Sequence, residues 1–119
     1  MHLIVAGGRD FTNYKLLKEK LDFLLSNTDK EEVTILCGKA KGADSLGERY
    51  ANENNIDVWE YPANWDKHGK SAGYLRNSDM VDDGTHLVAF WNGTVKGCGT
   101  IHMIDLETKK VFIVMVIRY

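Results

Sequence analysis

The segment LIVAGGRDF, residues 3–11, joins a short apolar run to two glycines and leads into an amphipathic stretch over residues 12–26. In that stretch Leu17, Leu21 and Leu24 recur at helical spacing, while Lys18 and Asp22 lie on the opposite face. The apolar run does not alternate with polar residues, which is typical of a strand covered on both faces. The segment therefore predicts a buried strand, a glycine turn and a helix.

The same arrangement repeats along the chain. Apolar runs follow at 33–37, 58–61, 86–91 and 111–117, with helix-like stretches at 42–54, 69–81 and 99–107. Strict alternation of strand and helix predicts right-handed βαβ units in a doubly wound parallel sheet. We expect a single Rossmann-like α/β domain over residues 1–119, with about five parallel strands in the order 3-2-1-4-5 and helices on both faces. The flavodoxin-like strand order stays open.

The composition is that of an ordinary soluble globular protein, with 44% hydrophobic residues, 27% charged residues and one proline. The longest apolar run, 111–117, is too short to cross a bilayer, and the first strand leads into glycines instead of a signal-peptide cleavage pattern. We therefore expect a cytoplasmic protein with no membrane partner. Cys37 and Cys98 form neither a CxxC pair nor a disulfide framework, so we expect reduced thiols and no metal site.

Glycine and positive charge gather in the loops that follow the predicted strands. These loops lie at the carboxyl edge of a parallel sheet, where ligands bind. Eight of the eleven glycines fall in them: Gly7, Gly8, Gly38, Gly42, Gly69, Gly93, Gly97 and Gly99. The same loops and the start of the third helix carry Arg9, Lys39, Lys41, Lys67, Lys70, Arg76 and Lys96. Since the formal net charge is −2, attraction for an anion must come from this local clustering.

Phosphate is the group that this combination favours. Glycine lets backbone N–H groups approach an anion closely, and the following helix directs its positive end toward the same place. No standard Walker or dinucleotide cofactor site is predicted, because Asn64 and His102 stand where those motifs need glycine. The strongest candidates flank the expected switch point between the first and fourth strands: Gly7, Gly8, Arg9, Gly97, Gly99 and Thr100.

Several single residues have two interpretations each. Asp44 can hydrogen-bond a ribose or act on a substrate, although a carboxylate in a first helical turn is equally explained by the helix dipole. Asp10 and His68 are further catalytic candidates, yet a loop histidine without an evident partner is usually inert. Trp65 and Trp91 can stack a base or cap the core. Arg76 is either a ligand clamp or a salt-bridge residue with a buried stem.

Four ordered motifs resemble one known family: VAGGRDF at 5–11, CGKAKGADSLGERYA at 37–51, WxxHGxxAGxxRN at 65–77 and FWNGTVKGCGT at 90–100. Together they resemble the YspA-like proteins of the SLOG superfamily, which is Rossmann-like and includes DprA, the LOG phosphoribohydrolases and sensor domains for nucleotide-derived signals. The resemblance implies a nucleotide-type ligand. By motif matching it places ligand-edge positions at Gly7, Gly8, Arg9, Asp10, Gly42, Asp44, Arg76, Asn77, Gly97, Gly99 and Thr100.

One departure from the LOG enzymes bears on activity. Their PGGxGT motif is followed shortly by a catalytic glutamate, whereas this chain has Lys96 in place of the first glycine and no glutamate until Glu107. The leading hypothesis is therefore a module that binds or senses a phosphate-bearing, nucleotide-derived small molecule. The alternatives are a nucleotide-processing hydrolase and a single-stranded DNA-binding protein similar to DprA. The apolar last strand, expected at a sheet edge, predicts a homo-oligomer.

Overall fold

The computed structural model describes residues 1–8, 10–38, 42–61, 65–68, 72–91 and 113–119. The strands are β1 (His2–Gly7), β2 (Thr34–Cys37), β3 (Asp57–Glu60), β4 (His86–Trp91) and β5 (Ile113–Arg118). The helices are α1 (Tyr14–Leu24), α2 (Ala43–Glu53), the short α3 (Trp65–His68) and α4 (Ala72–Asp83), and a 3₁₀ turn at Lys30–Glu32 precedes β2. The helix predicted over 69–81 is α4, whereas the helix predicted over 99–107 lies outside the described residues.

The five strands form one sheet in the order β3-β2-β1-β4-β5, and all four neighbouring pairs are parallel. This order confirms the predicted one and excludes the flavodoxin-like alternative. Leu3 lies opposite Ile35 of β2 and His86 of β4, so β1 is the central strand. All strands end at the same side of the sheet, which we call the carboxyl edge. It comprises the last strand residues, Gly7, Cys37, Glu60, Trp91 and Arg118, and the described residues that directly follow them.

Successive residues of β1 separate the core into two layers, because side chains alternate between the faces of a sheet. Leu3 and Val5 pack in one cluster with buried residues of α1 and α2, which are Leu17, Leu21, Ala43, Tyr50 and Ala51. Ile4 and Ala6 pack in the other cluster with Met80 and Val81 of α4. Helices therefore cover both faces of the sheet, as the continuous apolar strands predicted.

Helix α2 packs directly against β1. A Cβ atom at Gly47 would lie 2.9 Å from Val5 Cγ1, so only a residue without a side chain fits there. The helix begins after Gly42, whose φ of 78° belongs to a conformation that other residues rarely adopt. This close contact places the first turn of α2 beside the end of β1.

The two edge strands are β3 and β5. The edge position predicted for the last strand is thus confirmed, and Val116 of β5 is 43% exposed. The homo-oligomer inferred from that exposed strand stays a prediction. No helix within the described ranges is long and apolar enough to cross a membrane.

Two tyrosine hydroxyls donate hydrogen bonds to carboxylates, and ionisation of these hydroxyls at alkaline pH lowers the stability of the fold. Tyr50 donates its hydroxyl proton to Asp22 at 2.7 Å, and Tyr14 donates to Glu53 at 2.8 Å. Burial and then the hydrogen bond to Asp22 raise the pKa of Tyr50. Burial and the hydrogen bond to Glu53 raise the pKa of Tyr14 to about 12. Because the folded-state pKa values exceed the unfolded value, the stabilisation is complete below that value and is lost as the pH rises through the folded pKa.

We therefore expect the free energy of unfolding, measured by urea denaturation, to decline from the ordinary tyrosine pKa of 10.0 upward. Tyr50→Phe should lower the free energy of unfolding at neutral pH but make this alkaline decline shallower. The variant lacks one of the tyrosines whose pKa is raised in the folded state. A decline of the same slope in Tyr50→Phe would show that Tyr50 does not contribute to it.

Candidate functional site

The carboxyl end of β2 brings together polar side chains from helices on opposite faces of the sheet. Arg76 of α4 donates from Nη1 to the carbonyl oxygen of the buried Gly38 at 2.6 Å. A Cβ atom at Gly38 would lie 3.0 Å from that nitrogen and 2.8 Å from Oδ2 of Asp44, which belongs to α2. Side chains from opposite faces can meet only beyond the end of the strands. The three residues therefore lie together at the carboxyl edge, where sheets of this class bind ligands, and we call this place the crevice.

The crevice holds the most deeply buried polar side chains of the described ranges. Asp44 is 8% exposed and Asn77 is 5% exposed. Asn77 accepts a hydrogen bond at Oδ1 from Nε of Arg76 at 3.1 Å, and the Cys37 thiol donates to the Asp44 carbonyl oxygen at 3.5 Å. Burying polar groups costs free energy unless they are hydrogen-bonded. The hydrogen bonds of this network therefore offset part of the cost of burying polar groups at this end of the sheet.

The N-terminus of α2 adjoins this network. Gly42 is its N-cap residue and supplies no side-chain hydrogen bond, while Asp44 is the acidic residue of its first turn. The Ala43 amide donates to the Gly8 carbonyl oxygen at 3.4 Å, which connects α2 to the segment after β1. The positive end of the helix dipole therefore lies at the carboxyl edge and stabilises the Asp44 carboxylate.

Gly7 and Gly8 have roles in packing at the end of β1. A Cβ atom at Gly7 would lie 2.5 Å from the Cβ of Ala43 and 2.7 Å from the carbonyl oxygen of Phe90. The Gly8 amide donates to that same carbonyl oxygen at 3.1 Å, and the Phe11 amide donates to Gly8 O at 3.2 Å. Both glycines thus hold β1, α2 and β4 close together, and the Gly8 N–H bonds to β4.

Tyr119 is a residue of this edge that the sequence motifs did not indicate. Its hydroxyl donates to Asp10 Oδ1 at 2.6 Å, and its ring lies 4.7 Å from the ring of Phe11. Its amide donates to the Trp91 carbonyl oxygen at 3.0 Å. The available signal was the strand order, because the order 3-2-1-4-5 brings the residue after the last strand to the edge where β1 ends.

The structure brings many of the predicted site residues to the carboxyl edge, in two connected groups. One group surrounds Gly38 and contains Asp44, Arg76 and Asn77; the other contains Gly7, Gly8 and Asp10, and Gly42 adjoins both. Trp91 is half-buried at the end of β4. The predicted positions Arg9, Gly97, Gly99 and Thr100 lie outside the described residues, as do the side chains of Trp65 and His68 in α3. No metal-binding cluster of three His, Cys, Asp or Glu residues occurs in the part of the chain that is described.

Comparison with known proteins identifies the family. The chain is 36% identical over 76 residues to the Gene 61 protein of Mycobacterium phage D29, and the match spans 59% of each protein's length. No solved structure matches the chain significantly. The model of the YspA, cpYpsA-related SLOG family matches residues 1–68, which include β1 to β3, α1 to α3 and the Asp44 region but neither Arg76 nor Tyr119. Because that match covers more than half of the sequence, the chain belongs to the YspA, cpYpsA-related SLOG family.

Proposed function

We propose that this protein binds a phosphate-bearing, nucleotide-derived small molecule at the carboxyl edge of its sheet. The observation that carries the proposal is that Asp44 and Arg76, from opposite faces of the sheet, both reach the space beside Gly38 that a Cβ atom would occupy. Open parallel α/β sheets bind ligands in the crevice outside the carboxyl ends of their strands. Membership of a SLOG family is compatible with a nucleotide-related ligand.

The mixture of charges in the crevice favours a nucleotide over a simple anion. Arg76 supplies a fixed positive charge and the N-terminus of α2 supplies a partial one, and both favour phosphate. Asp44 would repel a phosphate placed against it but accepts hydrogen bonds from hydroxyl groups, and Asn77 has both donor and acceptor atoms. A ligand that carries phosphate at one end and ribose hydroxyls or base edges at the other matches this distribution.

The expected affinity can be calculated from the charged hydrogen bonds and the helix N-terminus that would contact the ligand. Hydrogen bonds that involve a charged group contribute roughly 1.5 to 3 kcal/mol each, and a helix N-terminus contributes roughly 0.3 to 1 kcal/mol. Several such contacts together correspond to a dissociation constant of about 1 μM. This range is accessible to thermal denaturation and calorimetry.

A thermal-shift panel tests the proposal, using AMP, ADP-ribose, cyclic mononucleotides and inorganic phosphate as probes. At a ligand concentration about 100 times the dissociation constant, binding adds about 2.7 kcal/mol to the stability. For a chain of this size that corresponds to a rise in Tm of roughly 10 °C. We expect at least one nucleotide to give a larger shift than inorganic phosphate, and a panel in which none raises the Tm would contradict the proposal.

Chromatography of the nucleotides in the same samples distinguishes a protein that only binds them from one that also cleaves them. A nucleotide-processing hydrolase is the second candidate, because the Asp44 carboxylate is buried beside the Arg76 guanidinium and could act on an N-glycosidic or phosphate bond. Chromatography of the nucleotides after long incubation would then show a free base or free phosphate. We expect the nucleotides to be recovered intact.

A further inference from the structure

Tyr119 joins the first and last segments of the described chain at the carboxyl edge. Its hydroxyl donates to the carboxylate of Asp10, and the two residues are 109 positions apart in sequence. Its ring packs on Phe11, which is 1% exposed and in turn stacks on Phe90 of β4. Tyr119 itself is 37% exposed, so it lies at the surface of the carboxyl edge and not within the core.

The glycine at position 8 fits this arrangement. The φ angle of Gly8 lies outside the left-handed region, so the backbone conformation does not demand glycine there. The positions of two side chains require it, because a Cβ atom at Gly8 would displace the Tyr119 hydroxyl and would lie 2.6 Å from Asp10 Oδ1. The absence of a side chain at Gly8 is thus what allows Tyr119 to reach Asp10.

We propose that Tyr119 is a positioning residue of the ligand site, whose hydroxyl fixes the Asp10 carboxylate and whose ring closes over Gly8. An exposed aspartate is well solvated and needs no protein partner for stability. The hydrogen bond therefore orders the segment after β1 and does not compensate a buried charge. Gly8 accepts a hydrogen bond from Ala43 in the first turn of α2, so we expect the loss of the Tyr119 hydroxyl to weaken nucleotide binding as well. This expected change in affinity rests on the proposed function.

The first experiment needs no ligand. Amide hydrogen exchange, followed residue by residue by NMR, is compared between the unaltered protein and Tyr119→Phe, which keeps the ring but removes the hydroxyl. We expect faster exchange at the Phe11 amide, which closes the turn onto Gly8 O, and unchanged exchange at Leu3 and Ile4 in β1. Equal exchange at Phe11 in both proteins would overturn the proposal.

The second experiment measures the dissociation constant for the best nucleotide of the thermal-shift panel. We expect Tyr119→Phe to weaken binding about tenfold, the effect of one ordered polar contact. Asp10→Ala, which removes the acceptor oxygen, should weaken it similarly, and the double variant should lose little more, because both changes break the same hydrogen bond. Gly8→Ala should reproduce the loss by displacing the hydroxyl without altering either partner.

Tyr14→Phe is the matched control. It also removes a tyrosine hydroxyl that donates to a carboxylate, but the bond joins α1 to Glu53 of α2, at the opposite end of α2 from the site. Its nucleotide affinity should equal that of the unaltered protein. An unchanged affinity in Tyr119→Phe would overturn the positioning role. If the unaltered protein binds no nucleotide, the proposed function fails, and the exchange comparison still decides whether Tyr119 orders the segment.

Discussion

Replacing Gly7 by alanine is expected to lower the free energy of unfolding by about 3 kcal/mol, the upper part of the usual range for overpacking. The new methyl group would lie 2.5 Å from the Cβ of Ala43 and 2.7 Å from the carbonyl oxygen of Phe90. Neither atom can rotate away, because one is fixed to the start of α2 and the other belongs to the backbone of β4. Relief therefore requires the helix or the strand to move.

Urea denaturation gives the stability change directly, and the Tm should fall by roughly 10 °C for a chain of this size. Gly8→Ala is the neighbouring control. Its added methyl group meets the ends of the Tyr119 and Asp10 side chains, which can rotate, so we expect a loss below about 1 kcal/mol. Equal losses in the two variants would show that close packing at Gly7 is not what holds β1, α2 and β4 together.

The architecture was predictable because burial on both faces leaves a direct mark on the sequence. Continuous apolar strands separated by amphipathic helices specify a covered parallel sheet, and the right-handed crossover rule restricts the order of its strands. Patterns of this kind identify which residues are buried. They do not identify which atoms are in contact. The close packing of Gly7 against Ala43 and Phe90, for example, could not be predicted from the sequence pattern.

The candidate site was predictable in its location but not in its contacts. Charge clustering placed Arg76 at the carboxyl edge, the start of the second helix indicated Asp44, and the family resemblance added Asn77. For Arg76 the sequence left a ligand clamp and a salt bridge open, and the structure adds hydrogen bonds to the Gly38 carbonyl oxygen and to Asn77. Tyr119 was missed because its contact with Asp10 joins residues that follow the first and last strands, and no local periodicity reports on so distant a pair.

The position of Arg76 gives the carboxyl edge a local positive charge, although the net charge of the protein is −2. Its guanidinium is held by Gly38 O and Asn77 Oδ1, two acceptors without a full charge, so part of its positive potential is available to a ligand. Asp44 lies close enough to moderate that potential without removing it from the edge. The crevice is therefore a locally polarised site on a chain whose net charge is slightly negative.

Arg76→Ala is expected to weaken nucleotide binding by about 30-fold or more, since a charge-assisted hydrogen bond is worth about 2 kcal/mol. The variant removes the donor and also leaves the Asp44 carboxylate to repel the phosphate. Arg76→Lys should recover only part of the affinity, because an ammonium group cannot reproduce the two-sided bonding to Gly38 and Asn77. Calorimetric titration with the best nucleotide of the panel, after the folding of each variant has been confirmed, measures both effects.

The decisive comparison is with Arg49→Ala, which makes the same change of charge elsewhere on the molecule. Arg49 lies exposed on α2, where it pairs with Glu53 at 3.5 Å and stacks on the ring of Tyr14 at 3.9 Å. Long-range electrostatics alone would make the two alanine variants lose affinity alike, and added salt would abolish the difference from the unaltered protein. A local contact predicts a large loss only in Arg76→Ala. If that variant folds and binds the nucleotide as tightly as the unaltered protein, the crevice around Gly38 is not the binding site.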